Sequence, residues 1–187
     1  MSILKYNAPK IEIEGWISDE ELQWLYERAS LYNSVVEVGS WKGKSTHALL
    51  SGCRGKVYAV DHFLGNEAER DNHHIEATQK DIGAEFSYNL RMFPHLEVYR
   101  MSSVEASRLF KPKSVDMVFI DGDHAYEYVS DDLRVWENIP TKLFCGHDRG
   151  QDGVPRALGE LLERMLKRNI DFYIKGGPGS IWYIDLR

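Results

Sequence analysis

The residues of this chain best suited to chemistry are acids, imidazoles and glycines that recur just after short apolar runs. Val35-Val36-Glu37-Val38 breaks into Gly39-Ser40-Trp41-Lys42-Gly43-Lys44-Ser45. Glycines at 39 and 43 let the backbone turn sharply and approach a ligand where a Cβ atom would obstruct it, as a nucleotide-type cofactor loop requires. A second apolar run, Lys56 to Val60, ends in Asp61 about 20 residues after the glycines, where a parallel neighbouring strand sets an acid beside a ribose hydroxyl. Val115 to Ile120 runs into Asp121-Gly122-Asp123-His124, and Leu143-Phe144-Cys145 runs into Gly146-His147-Asp148. Carboxylates and imidazoles in such places can hold a divalent cation or take a proton from a hydroxyl group.

Periodicity shows which elements would position these groups. Ser18 with Glu21 three positions later has the form of a capping box, and Leu22, Leu25, Tyr26 and Ala29 follow at helical spacing. Ser45 to Leu50 continues the glycine turn as a helix, which Gly52 and Arg54-Gly55 end before the next strand, giving a βαβ unit. Leu96 to Met101 reads as a strand and Val104 to Phe110 as a helix. Val129, Leu133 and Trp136 mark another helix, and Val154 to Leu166 is strongly amphipathic. Phe172 to Ile174 and Ile181 to Ile184 form a hairpin through Gly176-Gly177-Pro178-Gly179. The polar stretch from His62, with His73-His74, reads as a lid loop over 62–82, followed by a helical segment around Phe86 to Met92.

Seven strands interleaved with helices make an α/β protein with a Rossmann-like, mostly parallel sheet, helices on both faces and a C-terminal antiparallel hairpin. In open sheets of this kind, ligands bind outside the carboxyl ends of the strands where strand order reverses. Glu37, Gly39, Asp61, Ser102, Ser103, Asp121 and His147 all fall at or beyond strand ends, so one common rim is expected.

Composition narrows the classes. A chain of 187 residues suits one domain over 1–187, with 1–17 as an N-terminal extension. A formal charge of -6, with Lys and Arg scattered, supplies no basic stripe for nucleic acid. No apolar stretch approaches the ~20 residues a membrane helix needs, and the amino terminus lacks a signal-peptide core, so a soluble cytoplasmic protein is expected. Cys53 and Cys145 read as small core residues.

From Ser18 onward the motifs resemble those of class I S-adenosylmethionine-dependent methyltransferases. The resemblance lies in Glu37-Val38-Gly39-Ser40 with Gly43 and Ser45, Asp61, Ser103-Val104-Glu105-Ala106, and Phe119 to Tyr126. The last of these, with Gly146-His147-Asp148, is similar to the small metal-dependent O-methyltransferases of the catechol, macrolide-sugar and cephalosporin-tailoring types. The resemblance implies S-adenosylmethionine as cofactor. Glu37, Gly39, Ser40, Gly43, Ser45, Asp61, His62, Ser102, Ser103 and Asp121 would bind it, with Asp61 on the ribose hydroxyls and the serines beside the adenine.

It further implies a divalent metal on Asp121, His147 and Asp148. Carboxylates suit Mg²⁺ or Mn²⁺, and the imidazole of His147, where the family often has an acid, shifts preference toward Mn²⁺ and, less so, Fe²⁺ or Zn²⁺. His124 stands where the catechol-type enzymes carry a lysine base, and with Asp121 it makes up the catalytic pair. The acceptor would be a small molecule or sugar hydroxyl, and homo-oligomeric association stays open.

Other functions use some of the same residues. Gly43-Lys44-Ser45 mimics a phosphate-binding loop, but the glycine such a loop needs five positions earlier is Val38. Gly39 to Gly43 also lacks the dinucleotide spacing Gly-x-Gly-x-x-Gly. His124 and His147 with a carboxylate could instead form an iron centre for an oxygenase or hydroxylase, and a non-catalytic Rossmann-like binding protein is the remaining alternative.

Overall fold

Val35 to Val38 and Met117 to Ile120 are buried without alternation, as expected of central strands covered by helices on both faces. The structure, a computed structural model, describes residues 5–65, 72–151 and 153–186. Helix α1 (Asp19–Ala29) precedes β1 (Ser34–Val38), α2 (Lys44–Gly52) and β2 (Lys56–Val60). Then come α3 (Asn72–Gln79), α4 (Ile82–Asn89), β3 (Leu96–Tyr99), α5 (Ser103–Ser107), β4 (Val115–Ile120) and α6 (Tyr126–Trp136). β5 (Pro140–Gly146), α7 (Gly153–Lys167), β6 (Phe172–Gly176) and β7 (Trp182–Leu186) complete the order. No helix among the described residues is long and apolar enough to cross a membrane.

The strands form one seven-stranded sheet in the order β3-β2-β1-β4-β5-β7-β6, parallel except for β7, which pairs antiparallel with both β5 and β6. Strand order therefore reverses between β1 and β4, the crevice position expected to bind a ligand. The register carries the consequence further. Val38 stands opposite both Val60 and Ile120, and Ile120 stands opposite Gly146, so the ends of β2, β1, β4 and β5 lie in one row. One more backbone bond extends each pairing: Gly39 N donates to Val60 O at 2.9 Å, Asp121 N to Val38 O at 2.7 Å, and His147 N to Ile120 O at 3.0 Å. The residue just past each strand is thereby fixed as firmly as the strand.

Odd and even positions of the strands face different cores. Val35, Val57, Met117 and Leu143 pack with Leu22 and Leu25 of α1, Leu49 of α2 and Phe86 of α4. Val36, Val118 and Phe144 pack with Leu133 and Trp136 of α6 and Leu161 and Met165 of α7. The capping box of α1 forms as expected. Two expectations change. The lid reading of 62–82 falls partly outside the described residues, as do the side chains of His73 and His74; the described part holds α3 and the start of α4 instead of a continuous loop. The helix placed around Phe86 to Met92 begins earlier, because the Asp81 side chain accepts from Ala84 N and starts it there.

Candidate active site

A cavity of about 1000 Å³ opens at the strand reversal, lined among others by Gly39, Ser40, Ser45, Asp61, His62, Ser102, Ser103, Asp121, His124, His147 and Asp148. Elements more than a hundred residues apart in sequence thus share one wall. Glu37 and Gly43 stand behind that wall. The Glu37 side chain, on the inward face of β1, is fully buried, and Gly43 carries φ +94° with Phe86 and Leu90 packed where a Cβ would go.

The glycine turn is held by its neighbour strand. Asp61 Oδ2 accepts from Ser40 N at 2.9 Å and Trp41 N at 2.8 Å, while Oδ1 accepts from Phe63 N at 2.6 Å. Three amides on one carboxylate make Asp61 the clasp of the turn and leave it lone-pair capacity toward the cavity. Gly39, at φ +85°, is where the turn passes closest to β4: a Cβ there would lie 2.1 Å from the Asp121 carbonyl oxygen. Beneath the turn, Glu37 accepts from Ser40 Oγ at 2.7 Å and from Thr46 Oγ1. Burial pushes its carboxyl up to about 7, against the pull of the Ser45, Thr46 and Ser40 hydroxyls.

Ser102 and Ser103 line the cavity, but their side chains also have structural tasks. Ser102 caps α5 in a capping box with Glu105, and Ser103 Oγ accepts from Trp136 Nε1 at 2.8 Å. His62 Nδ1 accepts from Leu64 N at 3.0 Å. Asp123, past β4, accepts from Ala125 N at 2.8 Å and closes a turn before α6.

Beyond β4 and β5, acids and imidazoles alternate in contact. His124 Nε2 lies 2.8 Å from Asp148 Oδ2, which also lies 3.0 Å from His147 Nδ1. His147 Nδ1 lies 3.5 Å from Asp121 Oδ1. Asp148 takes a left-handed φ of +56°, a conformation Asp tolerates better than most side chains. Burial pushes the Asp121 carboxyl up to about 7, with His147 opposing and Asp148 adding to the rise. Burial works to lower His147, but its hydrogen bond to Asp148 and the charge of Asp121 outweigh it and hold the imidazole at about 9. Burial likewise works to raise Asp148, and the two imidazoles hold it well below the usual carboxylate range.

Ligand atoms of Asp121, His147 and Asp148 lie within 4.8 Å of one another, so two carboxylate oxygens and one imidazole nitrogen converge on a single point. That donor set fits a divalent cation of the Mg²⁺ or Mn²⁺ class, with Fe²⁺ and Zn²⁺ served through the imidazole. His124 stands one residue removed from that point, on Asp148.

Two groups were not legible as site residues in the sequence. Glu21 of α1 contacts His147 Nε2 at 2.9 Å. Lys42, inside the glycine turn and 1% exposed, reaches Glu14 at 2.6 Å and Glu76 of α3 at 2.7 Å. Burial works to lower the lysine, and the two carboxylates outweigh it and hold it above its ordinary range. It ties the turn to the segment before α1 and to α3. Lys44 Nζ donates to Gly15 O at 2.9 Å and adds a second tie. A lone lysine among polar neighbours carries no sequence signal of this kind.

The sheet order, the terminal hairpin and a cavity at the strand reversal together define a Rossmann-like methyltransferase fold. The methyltransferase domain family matches residues 36–141 of the chain. The chain belongs to that family. No curated protein sequence matches it significantly.

Solved structures agree on the fold. The methyltransferase PaMTH1 of Podospora anserina, solved with SAH bound, has 12% identity and a TM-score of 0.65 over 92% of this chain and 80% of its own. An O-methyltransferase from Bacillus cereus in complex with SAH has 14% identity and a TM-score of 0.63 over 91% and 82%. A methyltransferase from Geobacter sulfurreducens has 16% identity and a TM-score of 0.62 over 91% and 79%.

Proposed function

We propose that the chain transfers a methyl group from S-adenosylmethionine to a hydroxyl of a small molecule, with a divalent cation held by Asp121, His147 and Asp148. One observation carries this reading: the register of β1, β2, β4 and β5 sets the glycine turn, Asp61, Asp121 and His147 side by side on one cavity. The cofactor brings a sulfonium and an ammonium group. A wall bearing Asp61, Asp121, Asp123, Asp131 and Asp148 suits that positive charge.

The reaction makes particular demands on the residues. A sulfonium methyl is already electrophilic, so the site mainly aligns an oxygen behind it and excludes water, a positioning effect of roughly 7 to 11 kcal/mol. The glycine turn, clasped by Asp61, orients the cofactor, and the segment at Glu14 to Ile17, tied to the turn by Lys42 and Lys44, adds to the lining of the cavity. A bound cation would stabilise the developing alkoxide as a Lewis acid. His124, held against Asp148 through Nε2, is the base for the hydroxyl proton. Among the described residues the wall offers Lys44 as its one lysine and no arginine, and Lys44 is already engaged with Gly15. A neutral or cationic hydroxyl acceptor suits this wall better than a phosphorylated one.

Calorimetric titration tests the reading. S-adenosylmethionine should bind while ATP and NAD do not, and Asp148→Ala should abolish Mn²⁺-dependent methyl transfer while leaving cofactor affinity near that of the wild type. A wild-type protein that takes up no S-adenosylmethionine would end the proposal.

A further inference from the structure

Glu21 has the place of a helix cap, and it is one: Oε2 accepts from the backbone amide and the hydroxyl of Ser18, each at 2.8 Å. Its other oxygen does something a cap does not require. Oε1 accepts from Ser180 N at 2.7 Å and lies 2.9 Å from His147 Nε2, across 126 residues of sequence. The side chain is 5% exposed, so this contact is shielded from water. Room for it depends on Gly179, at φ +52°, where a Cβ would stand 2.1 Å from Oε1.

An ionised carboxylate only accepts, and Glu21 already accepts from Ser18 and Ser180. His147 must therefore present Nε2 as N–H, and in the neutral ring the lone pair is left on Nδ1. Nδ1 is the nitrogen that faces Asp148 Oδ2 at 3.0 Å and Asp121 Oδ1 at 3.5 Å. We infer that Glu21 is the positioning residue of the cation site. It selects the His147 tautomer whose Nδ1 lone pair points between Asp121 and Asp148, and it holds the ring plane there. The α1 cap and the turn between β6 and β7 thereby become parts of the site. A carboxylate behind a metal-bound imidazole fixes orientation and raises ligand basicity, and losing such a partner typically costs about 10- to 100-fold in metal affinity.

The inference rests on Asp121, His147 and Asp148 being the ligands, and its test separates the two claims. Mn²⁺ binding to the full chain is measured by the loss of the free-ion electron paramagnetic resonance signal. Wild type and Glu21→Gln are compared, each with His147 intact and with His147→Asn. Glu21→Gln should weaken Mn²⁺ binding about 10- to 100-fold with His147 present. It should change binding by less than about twofold with Asn at 147, where no imidazole needs orienting.

Gly179→Ala, whose Cβ would stand 2.1 Å from Oε1 and 2.6 Å from Cδ and so push the carboxylate away from His147, should reproduce the Glu21→Gln loss, again only with His147 present, and supplies the test should that variant not fold. Equal losses in both backgrounds would reduce Glu21 to a structural support and overturn the inference. So would wild-type affinity in a folded Glu21→Gln protein. Failure of the wild type to take up Mn²⁺ would instead sink the ligand assignment, and the inference with it.

Discussion

Glu37→Gln isolates the effect of a buried carboxyl placed beneath the cofactor turn. Glu37 is fully buried on β1, and burial holds its pKa at about 7 against an ordinary value of 4.5. A carboxyl raised on folding contributes stability that is fully present below the unfolded value and is lost as pH rises through the folded one. The span from 4.5 to about 7 corresponds to about 3 kcal/mol.

Glutamine keeps an oxygen for Ser40 Oγ and Thr46 Oγ1 but sets an amide where Glu37 Oε1 is buried with no hydrogen-bond partner. That costs roughly 1 to 3 kcal/mol at every pH. The variant should therefore be less stable than the wild type at pH 4.5 and should gain on it by about 3 kcal/mol by pH 8. Urea unfolding of both proteins at half-unit pH intervals measures the difference, and the other titrating groups, shared by both, cancel. Parallel stability profiles from pH 4.5 to 8 would show that Glu37 does not take up a proton on folding and would refute the reasoning.

Three further substitutions follow, two at the turn and one in α7. Gly39→Ala places a Cβ 2.1 Å from the Asp121 carbonyl oxygen at φ +85°, so it should cost roughly 3 kcal/mol or more in unfolding experiments. Gly159→Ala in α7, where a Cβ meets nothing within 4 Å, should instead stabilise by about 0.5 to 1 kcal/mol. Asp61→Asn keeps a single acceptor oxygen for three amides, so stability should fall by roughly 2 kcal/mol and the S-adenosylmethionine Kd should rise at least about tenfold. An unchanged Kd would remove Asp61 from any cofactor role.

Residues that meet their partners within a short stretch are legible in the sequence. Ser18 and Glu21 cap α1, and Gly39 turns the chain because the bend follows directly on β1. Helix α3 leaves no mark in the sequence, for a physical reason. Asn72 to Gln79 has no apolar stripe, and Glu76, from within it, is engaged by Lys42 from the glycine turn. Local pattern cannot register an ion pair across 34 positions.

The sequence by itself determined the alternation of strands and helices, the glycine turn and the acids that follow strands, because backbone sterics and apolar periodicity act over a few residues. The tertiary structure alone decided which of those acids meet. Sheet register aligned Asp61, Asp121 and His147, and the docking of α1 brought Glu21 against His147. Such contacts depend on how separate elements pack around shared cores, and no short segment contains that information.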